Sequence, residues 1–276
     1  MKKYLVKLFR GVRNVVISIN KTIFRQRYKN IFDLITPNII GVKKEVFGKQ
    51  GDGTYILPVD LIEDTENCKL LSFGISNDIS FEKDFNNRFK NINIYAFDPT
   101  IDELPEKNTG IQFFKIGLAG RNINSKGLFT LKEIIQRMGL SYEHQYILKI
   151  DIEGWEWEFL AEVDFESLDI PIIAIELHFS PFPRPIAMNL PYTFYKNKYK
   201  ILKKVLKQYY IHHVHANNDH YTEFDEFVFP TFLELTLIRK NIYHKEIISD
   251  IRRFNEKPNK INKPDFQYPF KMSSEV

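Results

Sequence analysis

The stretch from Tyr146 to Leu160, YILKIDIEGWEWEFL, decides how the chain is to be read. An apolar run, Tyr146-Ile147-Leu148, leads to an acid, Asp151; a second acid and a glycine follow at Glu153-Gly154. Trp155, Phe159 and Leu160 then recur at helical spacing. The pattern predicts a buried strand that delivers Asp151 at its carboxyl end and turns at once into a helix. In open α/β sheets, ligands bind in the crevice beyond the carboxyl ends of the strands. Asp151 is therefore expected where chemistry is done.

Two upstream segments repeat the design. In LLSFGISNDISFEKDF, Leu70 to Phe85, an apolar run stops at Gly74, a polar loop follows, and a helical pattern starts near Ser80. Glycine at that point lets backbone approach a ligand or take a positive φ. In NIYAFDPT, a strand ends at Asp98-Pro99, 24 positions after Gly74. That matches the spacing at which an acid on the second strand binds the ribose of a nucleoside cofactor, about 20 residues on. Each signal is weak alone; three in order on successive strands are much stronger.

Outward from these motifs, strands are expected at 69–74, 93–98, 111–117, 146–151 and 171–177. Helices fall between them, including 128–139 and 155–163. The alternation implies a parallel sheet covered by helices on both faces. The runs KEVFG and TYILP flank Gly51-Asp52-Gly53 and read as a hairpin within an entry region, 31–68. TFYKNKYKILKKVLKQY reads as a basic helix, and IHHVHAN and FLELTLIRK as two more strands. The domain is placed at 31–245, followed by a polar, proline-containing tail at 246–276.

The 276 residues suffice for one substantial core, and 24 Phe with 14 Tyr argue against extensive disorder. A single cysteine, Cys68, excludes an internal disulfide and fits a reducing cytosol. No run of about 18 apolar residues exists, so no transmembrane span or secretory signal is expected. The net charge of +4 hides an asymmetry: residues 1–30 hold nine bases and no acid, which leaves −5 for the rest. Leu5, Leu8, Phe9, Val12, Val15, Val16, Ile19 and Ile23 share one helical face there, with most of the bases opposite. This amphipathic basic helix suits an anionic membrane surface or a packed stripe on protein. An acidic body argues against nucleic acid as a partner.

FGISNDISFE, AFDPT, LKIDIEGWEWEFL, IELHFS (Ile175 to Ser180) and HVHANN (His213 to Asn218) together resemble the S-adenosylmethionine-dependent methyltransferases of the FkbM type, across about Val42 to Asp265. KIDIEG is the most specific of these motifs, while the first loop departs from the family pattern in keeping only Gly74. The resemblance implies a Rossmann-like, seven-stranded methyltransferase sheet closed by an antiparallel pair. It implies S-adenosylmethionine as cofactor, with Gly74 and Ser76 near its methionine end, Asp98 and Pro99 near the ribose, and Gly117 and Leu118 near the adenine. By analogy the acceptor is a hydroxyl of a sugar or glycan precursor, handled in the cytoplasm or on the inner face of the membrane.

Methyl transfer to a hydroxyl needs in-line positioning and a proton acceptor, or a metal that lowers the hydroxyl pKa. Asp151 is the first candidate, as base, cation ligand or contact to the methionine ammonium; a helix cap is its structural alternative. Glu153 opens the following helix. Glu176 and His178 alternate with Leu177 and so share one side of a strand. His213, His215 and Asn217 share a face of theirs, and His215 holds the family position of the general base. His212 and His220 are expected at the surface. Asp151, Glu176, His178, His215 and Asn217 together have the donor character of a divalent-cation site, with Asp151, Glu176 and His178 as the expected ligands; the rival is a metal-free site with His178 or His215 as base. The Phe179–Tyr195 segment, rich in Pro and aromatics, is expected to shape the acceptor pocket. Two other classes stay open: an inactive methyltransferase-fold scaffold, and a nucleotide-sugar enzyme, which would need a diphosphate-binding glycine loop that the chain does not display.

Overall fold

A computed structural model describes residues 30–272, apart from 32, 36, 40, 50, 52, 64–66, 180–191, 218–220, 225–226, 243–247, 250–265 and 268–270. The basic helix expected at 1–30 lies outside the described residues but for Asn30. So do His220, most of the Phe179–Tyr195 segment and most of the tail.

Seven strands form the main sheet: β1 (Cys68–Phe73), β2 (Asn93–Phe97), β3 (Gln112–Phe114), β4 (Gln145–Ile150), β5 (Asp169–His178), β6 (Tyr209–Ala216) and β7 (Phe232–Arg239). Their spatial order is β6-β7-β5-β4-β1-β2-β3. Strands β1 to β5 pair in parallel. Strand β7 runs antiparallel to both β5 and β6. The order reverses between β1 and β4, the switch point where such sheets open a crevice.

Among the described residues, four longer helices serve the sheet besides the short helix Val59–Glu63: α1 (Ser80–Arg88), α2 (Leu131–Arg137), α3 (Glu156–Glu162) and α4 (Tyr192–Gln208). One apolar layer joins Leu71, Phe73, Leu148, Ile150, Ile173 and Ile175 to α2, α3 and α4 through Ile134, Phe159, Leu160, Leu202 and Val205. The opposite layer joins Leu70, Ile147, Ile172 and Ala174 to Phe81 and Phe85 of α1 and to Phe47, Tyr55 and Leu57. The last three belong to the expected hairpin, Lys44–Phe47 paired antiparallel with Tyr55–Pro58. Strands of a parallel sheet are buried on both faces, which is why these runs are apolar nearly throughout.

The structure corrects two boundaries. The third strand ends at Phe114, and Gly117–Leu118 pairs instead with Leu128–Phe129. The helix expected from residue 128 therefore starts at Leu131, where Thr130 accepts from the Glu133 N–H as N-cap.

Candidate active site

Successive side chains on a strand point to opposite faces, and here one face changes character along its length. On the hairpin side, Leu70, Ile147, Ile172 and Ala174 are apolar. Toward the carboxyl ends, the same face carries Ser72 on β1, Lys149 on β4, and Glu176 and His178 on β5, all buried. Antiparallel β7 and β6 bring Glu234, Thr236, His213 and His215 to that side, also buried. Burying so many polar groups is costly without partners, so the partners define the site.

At the switch point lies an open cleft of about 240 Å³. The Gly74–Asp78 loop, the start of α1, Lys149, Asp151 and Glu153 line it, with Lys49 and Gly53 from the hairpin. Gly74 has φ +82°, and a Cβ there would lie 1.6 Å from the Asp151 carbonyl oxygen. Glycine is required because the two loops touch. Lys149 Nζ donates to the Gly74 carbonyl at 2.6 Å and lies 4.0 Å from Asp151 Oδ2. Beneath, Glu82 accepts from Ser72, and burial pushes its carboxyl up despite the Lys149 charge. Among the described residues, four non-glycine residues have positive φ; two are asparagines, which tolerate it, and the others are Ser76 (49°) and Glu153 (52°), in the two cleft loops.

Asp98 closes the first loop. Its Oδ2 accepts from Ile75 N–H at 2.9 Å and Ser76 N–H at 2.8 Å. Its Oδ1 accepts from Thr100 N–H at 2.7 Å and from the Thr100 hydroxyl. Burial opposes its charge, yet the bonds from Thr100, Ser76 and Ile75 outweigh burial and hold the carboxyl below the usual aspartate range. All four acceptor positions are filled, so a ribose hydroxyl would bind by displacing the one donor that can rotate away, the Thr100 hydroxyl. Pro99 follows directly and packs where a Cβ on Gly117 would meet its ring at 2.9 Å. Leu118 is buried in the core.

The second loop is built around Glu156, which is fully buried. Its Oε1 accepts from Ile152 N–H at 2.9 Å and Gly154 N–H at 3.2 Å, fixing the turn that presents Asp151 and Glu153. The same oxygen lies 3.0 Å from His178 Nδ1. His178 Nε2 is then 3.5 Å from Glu153 and 3.9 Å from Glu176. Burial disfavours charge on His178, but Glu156, Asp151 and Glu153 prevail and raise its pKa. The main-chain end of β5 is held too: the His178 carbonyl accepts from Trp157 Nε1 at 2.7 Å and Lys198 Nζ at 2.9 Å. Donor atoms of Asp151, Glu153 and His178 all lie within 4.8 Å of one another. Atoms sharing a hard cation at about 2.1–2.4 Å lie at most about 4.2–4.8 Å apart, so this trio fits one. Glu156 stands 3.0 Å from the far ring nitrogen, the side from which carboxylates orient metal-bound imidazoles, though Nδ1 makes no hydrogen bond with it. Glu176, expected as a ligand, stands beside the trio, and Glu153 takes its place within it.

On the closing pair, His215 Nδ1 meets Glu234 Oε2 at 2.9 Å. The backbone N–H of Asn217 donates to the Phe232 carbonyl. His212, expected at the surface, is buried. The pairing register shifts between Ile211 and His213, making His212 an extra residue that breaks the two-residue alternation. Burial, with the Lys44 charge, pushes His212 down to about 3 and His213 in the same direction. Sequence reasoning missed Glu156, Glu234 and Lys149. A signal existed for two of them: Glu156 stands between two tryptophans, and Glu234 alternates with leucines in FLELTL as Glu176 does in IELHF.

A sheet of this order with a polar crevice at its reversal is a Rossmann-like methyltransferase fold. The chain belongs to the family described as "Methyltransferase domain", which it matches over residues 18–229; it is a methyltransferase that uses S-adenosylmethionine. No curated protein matches its sequence. Among solved structures, a chain of the "fibrillarin/Nop5p complex" is similar at 11% identity, with 66% of this chain and 80% of that one covered and a TM-score of 0.37. Among the described residues, no helix is long and apolar enough to cross a membrane.

Proposed function

We propose that this chain is an FkbM-type O-methyltransferase acting on a hydroxyl of a sugar or glycan precursor, assisted by a divalent cation at Asp151, Glu153 and His178. The observation that carries the reading is that two hydroxyl-activating devices stand toward the same end of the sheet: the cation-sized trio, Asp151 and Glu153 from the loop after β4 with buried His178 on β5, and the buried His215–Glu234 pair on β6 and β7. When bound, S-adenosylmethionine supplies a methyl group already activated on a sulfonium; the O–CH₃ bond forms as the S–CH₃ bond breaks and the thioether leaves. The protein must orient the hydroxyl and remove its proton.

The Gly74–Asp78 loop and Asp98 would hold the cofactor's methionine and ribose parts. Asp151, Glu153 and His178, with Glu176 beside them, would hold the cation, which lowers the pKa of a coordinated hydroxyl. His215, the base, would take the proton. The sugar acceptor is argued by family analogy, because a fold does not fix a substrate. The basic helix at 1–30 would bring the enzyme to the inner face of an anionic membrane. Loss of liposome association on deleting those residues supports that part, and unchanged association removes it.

Calorimetric titration with S-adenosylmethionine is the first test. Micromolar binding, about −8 kcal/mol, weakened in Asp98→Ala, supports the cofactor reading; no binding by wild type with and without Mn²⁺ sinks it. A sugar screen then follows methyl transfer before and after exhaustive chelation. Loss of turnover on chelation and in Asp151→Asn is expected. Turnover unaffected by chelation removes the cation, and turnover that survives in Asp151→Asn removes the assignment of Asp151.

A further inference from the structure

We infer that Glu234 is a positioning residue that locks His215 in the tautomer whose Nε2 is free to accept the hydroxyl proton. The inference rests on the methyl-transfer reading and adds to it a residue that no motif carries.

His215 and Glu234 are directly opposed in the β6–β7 register. In such pairs the Cβ atoms stand about 5 Å apart on the same face, which lets the 2.9 Å contact from Nδ1 to Oε2 form without distorting either strand. Both residues are buried. A carboxylate is an acceptor, so the proton on the imidazole must lie on Nδ1, between the two groups. That leaves a lone pair on Nε2, and Nε2 is buried with no hydrogen-bond partner among the described residues. His212 and His213 on the same strand also bury ring nitrogens without a hydrogen-bond partner among the described residues; what sets His215 apart on that strand is the carboxylate on its Nδ1.

The row continues across the sheet. Glu234 is itself opposite Glu176, and Glu176 lies 3.9 Å from His178 Nε2. With neighbouring strands about 4.8 Å apart, His215 stands two strand spacings, roughly 10 Å, from the strand that carries His178. One acceptor molecule lying across β7 and β5 would therefore touch both devices. As the hydroxyl proton moves to Nε2, the ring becomes an imidazolium, and the Glu234 charge beside Nδ1–H stabilises it. The proton later leaves to solvent.

The test needs no acceptor. The full chain, labelled with ¹⁵N in its histidines, is examined by imidazole NMR at mildly alkaline pH, and His215 is assigned by its absence in His215→Gln. Wild type is expected to show Nδ1 protonated and Nε2 bare. In Glu234→Leu the tautomer ratio is expected to swing toward Nε2–H by about tenfold or more, the worth of a hydrogen bond to a charged group. Should the leucine variant not fold, Glu234→Met, which keeps the length of the side chain and offers no strong acceptor to Nδ1–H, is read the same way. Nε2–H on His215 in wild type, or a ratio unchanged in a folded variant, overturns the inference. S-adenosylmethionine titrations on the same samples separate it from its premise: absence of binding in wild type sinks the methyl-transfer reading, whereas a failed tautomer result with binding intact sinks only the role of Glu234.

Discussion

Replacing Asp98 by asparagine tests whether its carboxylate clamps the cofactor loop. The side chain accepts from three backbone N–H groups and one hydroxyl. Asparagine has one acceptor oxygen. Its best placement keeps that oxygen on Ile75 and Ser76 and turns the amide toward Thr100, whose hydroxyl can rotate to accept. The Thr100 N–H is then left unpaired, at about 1–3 kcal/mol, and the two surviving bonds lose their charge assistance. The sum is about 2–4 kcal/mol, a large share of a typical stability of about 5–15 kcal/mol. Urea unfolding near pH 7, followed by fluorescence of Trp155 and Trp157, should show a lower midpoint at unchanged slope. Because the folded pKa of Asp98 is depressed, its stabilisation is complete above the unfolded value of about 3.9 and fades as pH falls below it. The gap between wild type and variant should therefore narrow below about pH 4. A difference under about 0.5 kcal/mol at pH 7, or a gap that does not narrow in acid, refutes the clamp.

Other outcomes follow from the same geometry. Gly74→Ala must place a Cβ against the Asp151 carbonyl at positive φ, and thermal melts should show a loss above about 3 kcal/mol or no folded protein. Glu156→Ala strands the Ile152 and Gly154 N–H groups, and urea titration should register a loss of about 2–4 kcal/mol. His212 and His213 stay neutral in the fold while their unfolded counterparts protonate near 6.5. The unfolded state thus binds more protons, and stability should fall as pH drops below about 6.5, by about 1.4 kcal/mol per unit for each histidine. His212→Gln should remove one proton from that slope, and an urea midpoint flat from about pH 7.5 to about pH 5 would contradict the neutral pair.

Much of the fold was legible because it rests on periodicity. The apolar runs ending at Gly74, Asp98 and Asp151 each mark a strand and the loop after it, and the run through Ile175 to His178 marks a fourth. Less legible was 111–118: a short edge strand and a second two-residue pairing carry no period long enough to separate them. His212 was misplaced because alternation assumes an unbroken register, and a bulge is a property of the pair of strands.

The candidate site divides in the same way. Asp151, Glu153, Glu176, His178 and His215 could be named from sequence, since polar residues at the ends of apolar runs are costly to bury and so stand out. Their partners could not. Nothing local joins Glu156 to His178, Glu234 to His215, or Asp98 to the N–H groups of Ile75 and Ser76. By itself the sequence determined which strands are buried, where each ends and which chemistry-bearing side chains stand there, because hydrophobic period and turn chemistry act over a few residues. Only the tertiary structure decided which of those side chains meet, because a hydrogen bond or a shared cation depends on separations of about 2–3 Å between residues that the chain brings together only by folding.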